Sequence, residues 1–230
     1  MGGCLTMSDT HIAGLVCEGQ TDVPILRKMI QALWPSVKEV LPLQPQLDEM
    51  ERAKGPAGWT QVQSWCEQHA SALDDVLAPD IGDPLDLLVV AIDIDIAIAA
   101  GIADPPQEVG GYESTRLRRT IEGWLKTPKR RKLPGAIVVS TPVMAIEAWV
   151  IAALFPRARK PEQIADGARW LVDNDKLRLS PKDGKPWKEL HRYREFAQSV
   201  ASNLARVRKS CAEAERTSQA IERCRDQLKD

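Results

Sequence analysis

Strand-like and helix-like hydrophobic patterns alternate through residues 1–155 of this chain. The apolar stretch of residues 11–17 predicts a strand, and apolar positions at helical spacing from Ile25 to Leu33 predict the helix that follows. Residues 37–43 and 136–139 predict two short strands, and the nearly continuous apolar run of residues 85–92 predicts a central strand covered on both faces. This alternation is typical of an α/β fold with a mostly parallel sheet and flanking helices.

The other patterns in this part of the chain predict helices and one loop. Helices are expected at residues 59–77 and 114–125, and residues 101–112 hold the glycines and prolines of a loop. A further helix is expected over residues 143–151, with Ser140 or Thr141 as its N-cap and Pro142 at its first position.

Beyond Pro161 the pattern becomes all-helical. We expect one helix over residues 162–173, a polar loop up to Pro186, and one or two helices from Trp187 to the end. The apolar positions expected to pack this segment on the core or on a partner are Leu190, Phe196, Val200, Leu204 and Val207. The predicted organisation is therefore an α/β core of residues 1–155 and a helical C-terminal appendage of residues 156–230, whose helices could pair two copies in a homo-oligomer.

Composition narrows the class of protein. The chain has 230 residues, of which 43% are hydrophobic and 27% charged, as in ordinary globular proteins. No apolar run approaches the roughly 18 residues that span a bilayer, and the five cysteines form no CxxC pair, so we expect a cytoplasmic protein without membrane contact. The net charge of −1 argues against a broad positive field, so any nucleic-acid binding must be local.

Acidic residues follow the predicted strands. Glu18 comes directly after the first strand and Asp93 directly after the central one, and loops at the carboxyl ends of parallel strands share one edge of the sheet. If the central strand continues far enough, Asp95 faces the same side as Asp93. Three carboxylates at one edge repel one another unless a cation is present, and Mg²⁺ prefers oxygen ligands. The pattern therefore predicts a Mg²⁺ site.

Each of these acids also has an ordinary structural interpretation. Glu147, a fourth candidate on a predicted helix that follows a strand, could be a core carboxylate paired with an arginine. Glu-Gly pairs are common in loops, and aspartates are common turn formers at strand ends. The conjunction of the acids favours a site over the separate structural interpretations.

Three segments that contain these acids carry a family resemblance. The runs Leu15–Asp22, Val89–Asp95 and Ala145–Trp149 resemble the Toprim family, and more narrowly the small stand-alone Toprim-like proteins that are related to overcoming-lysogenization-defect nucleases and occur in bacterial anti-phage defence. The resemblance covers about residues 11–155. It implies a Toprim-like core in which the catalytic acids are Glu18, Asp93 and Asp95.

The resemblance also implies the cofactor and partners. The three acids would bind Mg²⁺ or Mn²⁺ for phosphodiester chemistry, with Asp22 and Glu147 as second-metal or supporting ligands. An ATPase partner that holds the protein inactive or guides it is implied by the defence-type relatives.

A local basic cluster could supply contacts to nucleic-acid phosphates. Between residues 116 and 132 only Glu122 is acidic. The basic residues are Arg116, Arg118, Arg119, Lys126, Lys129, Arg130, Arg131 and Lys132. The alternative is a solvated helix end and loop, since lysine and arginine are common at helix C-termini. Neither DNA nor RNA is favoured.

These observations lead to one expected function and one alternative. We expect a magnesium-dependent nuclease, a hydrolase of anti-phage defence, in which the ion polarises a phosphate oxygen and lowers the pKa of an attacking water. The alternative is a non-catalytic Toprim-like binding or regulatory module that partners an ATPase. It is motivated by the apolar residues after Asp95 and by Ala152 and Ala153, where relatives often carry polar or acidic residues. A haloacid-dehalogenase-type phosphatase is disfavoured, because Ile96 and the late position of Asp93 do not fit its motif.

Overall fold

A parallel sheet forms the centre of the protein. The computed structural model describes residues 10–45, 58–99, 101 and 112–228. Its main sheet has the strand order β2-β1-β3-β4, and every neighbouring pair is parallel. The strands are β1 (His11–Cys17), β2 (Val37–Gln44), β3 (Leu87–Ala91) and β4 (Ile137–Ser140). The predicted α/β class with a parallel sheet is confirmed, while the loop predicted at residues 101–112 lies almost wholly outside the described residues.

Helices flank the sheet and fill the C-terminal part of the chain. They are α1 (Asp22–Leu33), α2 (Trp59–His69), α3 (Leu73–Leu77), α4 (Ile94–Ala99), α5 (Tyr112–Trp124), α6 (Glu147–Leu154), α7 (Gly167–Asp173), α8 (Leu190–Ser202), α9 (Leu204–Ser210) and α10 (Ala212–Gln227). Two 3₁₀ turns, Ala70–Ala72 and Pro161–Gln163, join them. Within the described ranges no helix has the length and apolar character needed to cross a membrane.

Alternation along the central strand explains the layers. Every residue of β3 is buried, and its side chains divide between two hydrophobic clusters on opposite faces of the sheet. Leu87 and Val89 face a layer formed by α1, α6 and the C-terminal helices, while Leu88 and Val90 face α2 and α5. Burying each such side chain stabilises the fold by about 1.5–3 kcal/mol, so both faces need a covering layer.

The C-terminal helices belong to the core. Helix α8 lies against α1 and α6, and its Phe196 and Val200 share one hydrophobic cluster with β1 and β3. Val207 of α9 is buried in the same cluster. These three residues pack as predicted, and the segment contributes to the layer that covers one face of the sheet.

Residues 178–187 form a small hairpin that the sequence pattern did not predict. Strands β5 (Arg178–Leu179) and β6 (Pro186–Trp187) pair in the antiparallel direction as a separate two-stranded sheet. The sequence pattern predicted a polar loop here between helices, and the two paired strands correct that prediction.

Helix α6 begins at Glu147, five residues after the predicted first position at Pro142. Thr141 does not cap a helix, because its N–H and hydroxyl both donate to Glu213 of α10. The chain then runs beside the segment after β3, where Ile94 N donates to Pro142 O and Asp95 N donates to Met144 O. These contacts hold residues 141–146 out of the helix, so that Glu147 becomes the first helical residue.

Candidate acidic site

Glu18 and Asp93 meet at one edge of the sheet. Strands β1 and β3 are parallel neighbours, with Cys17 opposite Ala91, so both chains leave the sheet at the same edge. The backbone N–H of Asp93 donates to Oε1 of Glu18 at 2.7 Å, and the Glu18 residue is only 5% exposed. The structure thus brings together the two acids that follow the strands.

Asp22 lies beside them on the first turn of α1. The N–H of Gly19 donates to Oδ2 of Asp22 at 2.9 Å, and the N–H of Asp22 donates back to Gly19 O at 3.2 Å. This turn directs the Asp22 carboxylate toward the end of β1. Burial raises the pKa of Glu18 and of Asp93, and the charge of Asp22 raises both further.

Asp95 reaches the cluster by a route that differs from the predicted one. The strand ends at Ala91, and Asp95 lies in the first turn of α4, so the condition under which Asp93 and Asp95 would face one side of an extended strand is not met. One Asp95 oxygen, Oδ1, accepts a hydrogen bond from Ile96 N at 2.7 Å. Burial raises the pKa of Asp95, as does the charge of Glu147, so Asp95 lies within electrostatic range of the other acids.

Glu147 completes the acidic site, which comprises Glu18, Asp22, Asp93, Asp95 and Glu147. Its residue is 1% exposed, and its Oε1 accepts a hydrogen bond from the Tyr193 hydroxyl and forms an ion pair with Lys188 Nζ at 2.8 Å. A Cβ at position 167 would lie 2.7 Å from the Glu147 Cβ, so Gly167 permits α7 to pack closely against it. The sequence pattern suggested an arginine partner, but the partner is a lysine.

Sequence reasoning missed Lys188 and Tyr193. Both come from the C-terminal segment, and local periodicity marks Tyr193 only as one apolar position of an amphipathic helix. Their contact with Glu147 arises because α8 docks on α6.

Burial and mutual repulsion control the protonation of the acids. Burial raises the pKa of Glu18 to about 8, and the charges of Asp22 and Asp95 act in the same direction. Burial and the charge of Glu147 raise the pKa of Asp22 to about 6, and the pKa of Asp93 is well above its usual range for the same kinds of reason. In the absence of a cation these three acids therefore keep their protons to a higher pH than free carboxyl groups do.

Glu147 differs from the other four acids of the site because Lys188 lowers its pKa. Burial alone would raise the pKa of Glu147, but the ammonium of Lys188 and the hydroxyl of Tyr193 outweigh it, so the pKa is lowered. Partial removal from water would lower the pKa of Lys188, but the charges of Glu147, Asp93 and Asp22 raise it instead. Lys188 is thus a fixed positive charge beside the acids.

The carboxylate oxygens of the acidic site meet some of the requirements of a Mg²⁺ or Mn²⁺ site. Oε2 of Glu18 and Oε2 of Glu147 are buried and have no hydrogen-bond partner, and all the donors are carboxylate oxygens of the kind that Mg²⁺ and Mn²⁺ accept. In the part of the chain that the structure describes, however, no three histidine, cysteine, aspartate or glutamate side chains form a group that could hold a metal ion. A cation would have to draw the carboxylates together.

The basic cluster divides into internal and exposed residues. Arg118 pairs with Glu213 at 3.1 Å and donates to Ser114 Oγ at 3.0 Å, whereas Arg130 pairs with Asp74 and donates to Ala70 O at 3.1 Å. Both arginine side chains are only 19% exposed, so they support the structure. The exposed members are Arg116, Arg119, Lys129, Arg131 and Lys132.

A basic pocket lies beside the edge strand β4. It has a volume of about 320 Å³, and its charged lining comes from α5, α10 and the segment before β4. The charged lining residues are Arg118, Glu122, Lys126, Arg131, Lys132 and Arg216. Arg216 belongs to a helix far along the chain, so its place here was not expected from the sequence.

Comparison with protein-family models, curated proteins and solved structures finds no match for this chain. None of these comparisons supports the expected resemblance to the Toprim family. The geometry of the acidic site carries the functional argument.

The raised pKa of Glu18 predicts a pH-dependent stability. Burial raises this pKa from 4.5 to about 8, so over that interval the native state binds more protons than the unfolded state. The free energy of unfolding should then fall as pH rises from about 4.5 to about 8, by up to about 1.4 kcal/mol per pH unit for this one group. Urea denaturation in EDTA at several pH values measures it.

The matched variants for this prediction are Glu18→Gln and Glu67→Gln. Glutamine keeps the oxygen that accepts from Asp93 N but cannot ionise, so Glu18→Gln should reduce the pH slope and stabilise the protein near pH 8. Glu67 is exposed on α2, and its replacement should leave the slope unchanged. An unaltered slope in Glu18→Gln would show that this carboxyl group is not held protonated.

Proposed function

We propose that this protein is a metal-dependent nuclease of the Toprim type, which hydrolyses phosphodiester bonds in nucleic acid as an effector of anti-phage defence. The main observation is that five carboxylates lie within electrostatic range of one another at one edge of a parallel sheet, and that two of them have a buried oxygen without a hydrogen-bond partner. Like charges at such density require protons or a cation. Mg²⁺ or Mn²⁺ is the proposed cation.

The proposed roles follow from the contacts of each acid. Glu18 and Asp93 would be the principal ligands, and Asp22, Asp95 and Glu147 would supplement them. A metal ion bound there would polarise a phosphate oxygen and lower the pKa of the attacking water. The N–H of Asp93 orients the Glu18 carboxylate. Tyr193 and Lys188 hold Oε1 of Glu147 and leave its Oε2 without a hydrogen-bond partner.

The proposed nucleic-acid interface uses the exposed basic residues. Arg116, Arg119, Lys129, Arg131 and Lys132 would contact phosphates, which position a nucleic acid without reading its sequence. Arg118 and Arg130 would act indirectly, because their ion pairs with Glu213 and Asp74 hold α5 and the following loop in place.

A specific observation favours the second candidate, a non-catalytic binding module that partners an ATPase. Lys188 already neutralises Glu147, and no three of the described side chains form a ready metal group. In that case the acids would have a structural role, and the protein would bind nucleic acid without cutting it.

One experiment separates the two candidates. Purified protein is incubated with plasmid DNA, single-stranded DNA and RNA in Mg²⁺, Mn²⁺ or EDTA, and its unfolding is measured in the same buffers. We expect cleavage with either metal and none in EDTA, together with a stabilisation of about 2.7 kcal/mol when the metal concentration is 100 times its dissociation constant. The absence of both cleavage and metal-dependent stabilisation would contradict the nuclease proposal and favour the binding module.

A further inference from the structure

Hydrogen bonds within the turn hold the β5–β6 hairpin in a defined conformation. Ser180 N donates to Lys185 O at 2.8 Å, and Gly184 N donates to Ser180 O at 2.9 Å, which closes the turn. Gly184 has φ of 68°, a left-handed conformation that favours glycine. Leu177 is buried at the base of the hairpin, so its exposed residues are presented from an anchored segment.

The hairpin exposes an aromatic side chain. Trp187 is 46% exposed, and Leu179 of the partner strand is 41% exposed. By contrast, Trp34 and Trp149 are fully buried core residues. An indole in water leaves a large π surface uncovered, which is the kind of surface on which a nucleic-acid base can stack.

The charges around Trp187 suit a polyanion. Arg178, Lys182 and Lys185 are exposed on the hairpin, and Asp183 is the only acid between residues 178 and 187. The Asp183 carboxylate accepts a hydrogen bond from Lys185 N at 3.2 Å, so it is turned toward the backbone of its own turn. Basic residues interleaved with an exposed aromatic are typical of surfaces that bind single-stranded nucleic acid.

The hairpin also lies next to the acidic site. Trp187 directly precedes Lys188, whose Nζ lies 2.8 Å from Glu147 Oε1, and Cα atoms of adjacent residues are about 3.8 Å apart. Glu189 N donates to Trp187 O at 3.0 Å, and the chain enters α8, whose Tyr193 binds the same Glu147 oxygen. The hairpin that carries Trp187 is therefore joined directly to Lys188, the residue that forms an ion pair with Glu147.

We infer that the hairpin binds an unpaired nucleotide of the substrate, with the base stacked on Trp187 and the flanking phosphates on Arg178, Lys182 and Lys185. This inference rests on the proposed function and adds the substrate class, which is single-stranded nucleic acid or a duplex with an unpaired end or bubble. Paired bases inside a duplex do not offer a free face to the indole. DNA and RNA single strands share this chemistry.

The test measures binding by fluorescence anisotropy in EDTA. The fluorescein-labelled probes are single strands of DNA and of RNA, each about 12 nucleotides long, and a blunt duplex of the same sequence. Trp187→Ala should weaken single-strand binding by about 5- to 150-fold, the range that stacking of one base spans. Its effect on the duplex should stay below about twofold. Trp187→Phe keeps an aromatic face and should retain most of the affinity for single strands.

The control variant is Ile81→Ala, which removes an apolar side chain that is 93% exposed in an acidic loop. It should change neither affinity. Equal weakening of single-strand and duplex binding by Trp187→Ala, or no weakening at all, would overturn the inference and leave the nuclease proposal intact. Failure of the proposed function has a different signature, namely wild-type protein without metal-dependent cleavage. Wild-type protein that binds none of the three probes would overturn the inference as well.

Discussion

Replacing Glu18 by glutamine or Asp93 by asparagine should lower nucleic-acid cleavage by about 100-fold or more and leave nucleic-acid binding in place. Each change removes a proposed metal ligand, and even residues that only orient metal ligands are typically worth 10- to 100-fold. Glutamine at position 18 can still accept the hydrogen bond from Asp93 N, so the edge of the sheet should keep its structure. Cleavage rates in saturating Mg²⁺, measured beside binding affinity, check the expectation.

The complementary change neutralises exposed basic residues. We expect weaker binding in the triple variant Arg119→Gln, Arg131→Gln, Lys132→Gln. The slope of log affinity against log salt concentration should fall by about 0.7 to 0.9 for each phosphate that the protein no longer neutralises. A matched triple variant at exposed Lys38, Lys209 and Arg223 should leave both quantities nearly unchanged. An acid variant that still cleaves at the wild-type rate would mean that the metal site has been assigned to the wrong residues.

Replacing Glu213 by alanine should lower the free energy of unfolding by about 3–5 kcal/mol, the usual effect of breaking a buried ion pair. Glu213 is 4% exposed and accepts hydrogen bonds from Thr141 N at 3.0 Å and Ser114 Oγ at 2.9 Å. It also pairs with Arg118 and Arg216. Its loss would leave two partly buried guanidinium groups unpaired where α10, α5 and the end of β4 meet.

The matched control lies on the same helix. Glu215 pairs with Arg208 at 2.5 Å, but its side chain is 37% exposed, so Glu215→Ala should cost no more than about 1 kcal/mol. Urea denaturation at constant pH measures both variants. Similar losses for the two variants would show that the Glu213 network does not hold these elements together.

The sequence alone determined the sheet and two of the acids. A strand covered on both faces must be apolar at every position, so the run that contains β3 was recognisable from its composition. Because the carboxyl ends of parallel strands share one edge, the positions of Glu18 and Asp93 directly after their strands were enough to predict that they meet.

Only the tertiary structure decided which partners these residues have. Lys188 and Tyr193 reach Glu147 because α8 docks on α6, and Glu213 takes the Thr141 groups that would otherwise cap an earlier helix. Periodicity reports which face of an element is buried, but it does not report which distant element covers that face. Ion pairs and hydrogen bonds between segments far apart in sequence are therefore fixed by packing of the whole chain.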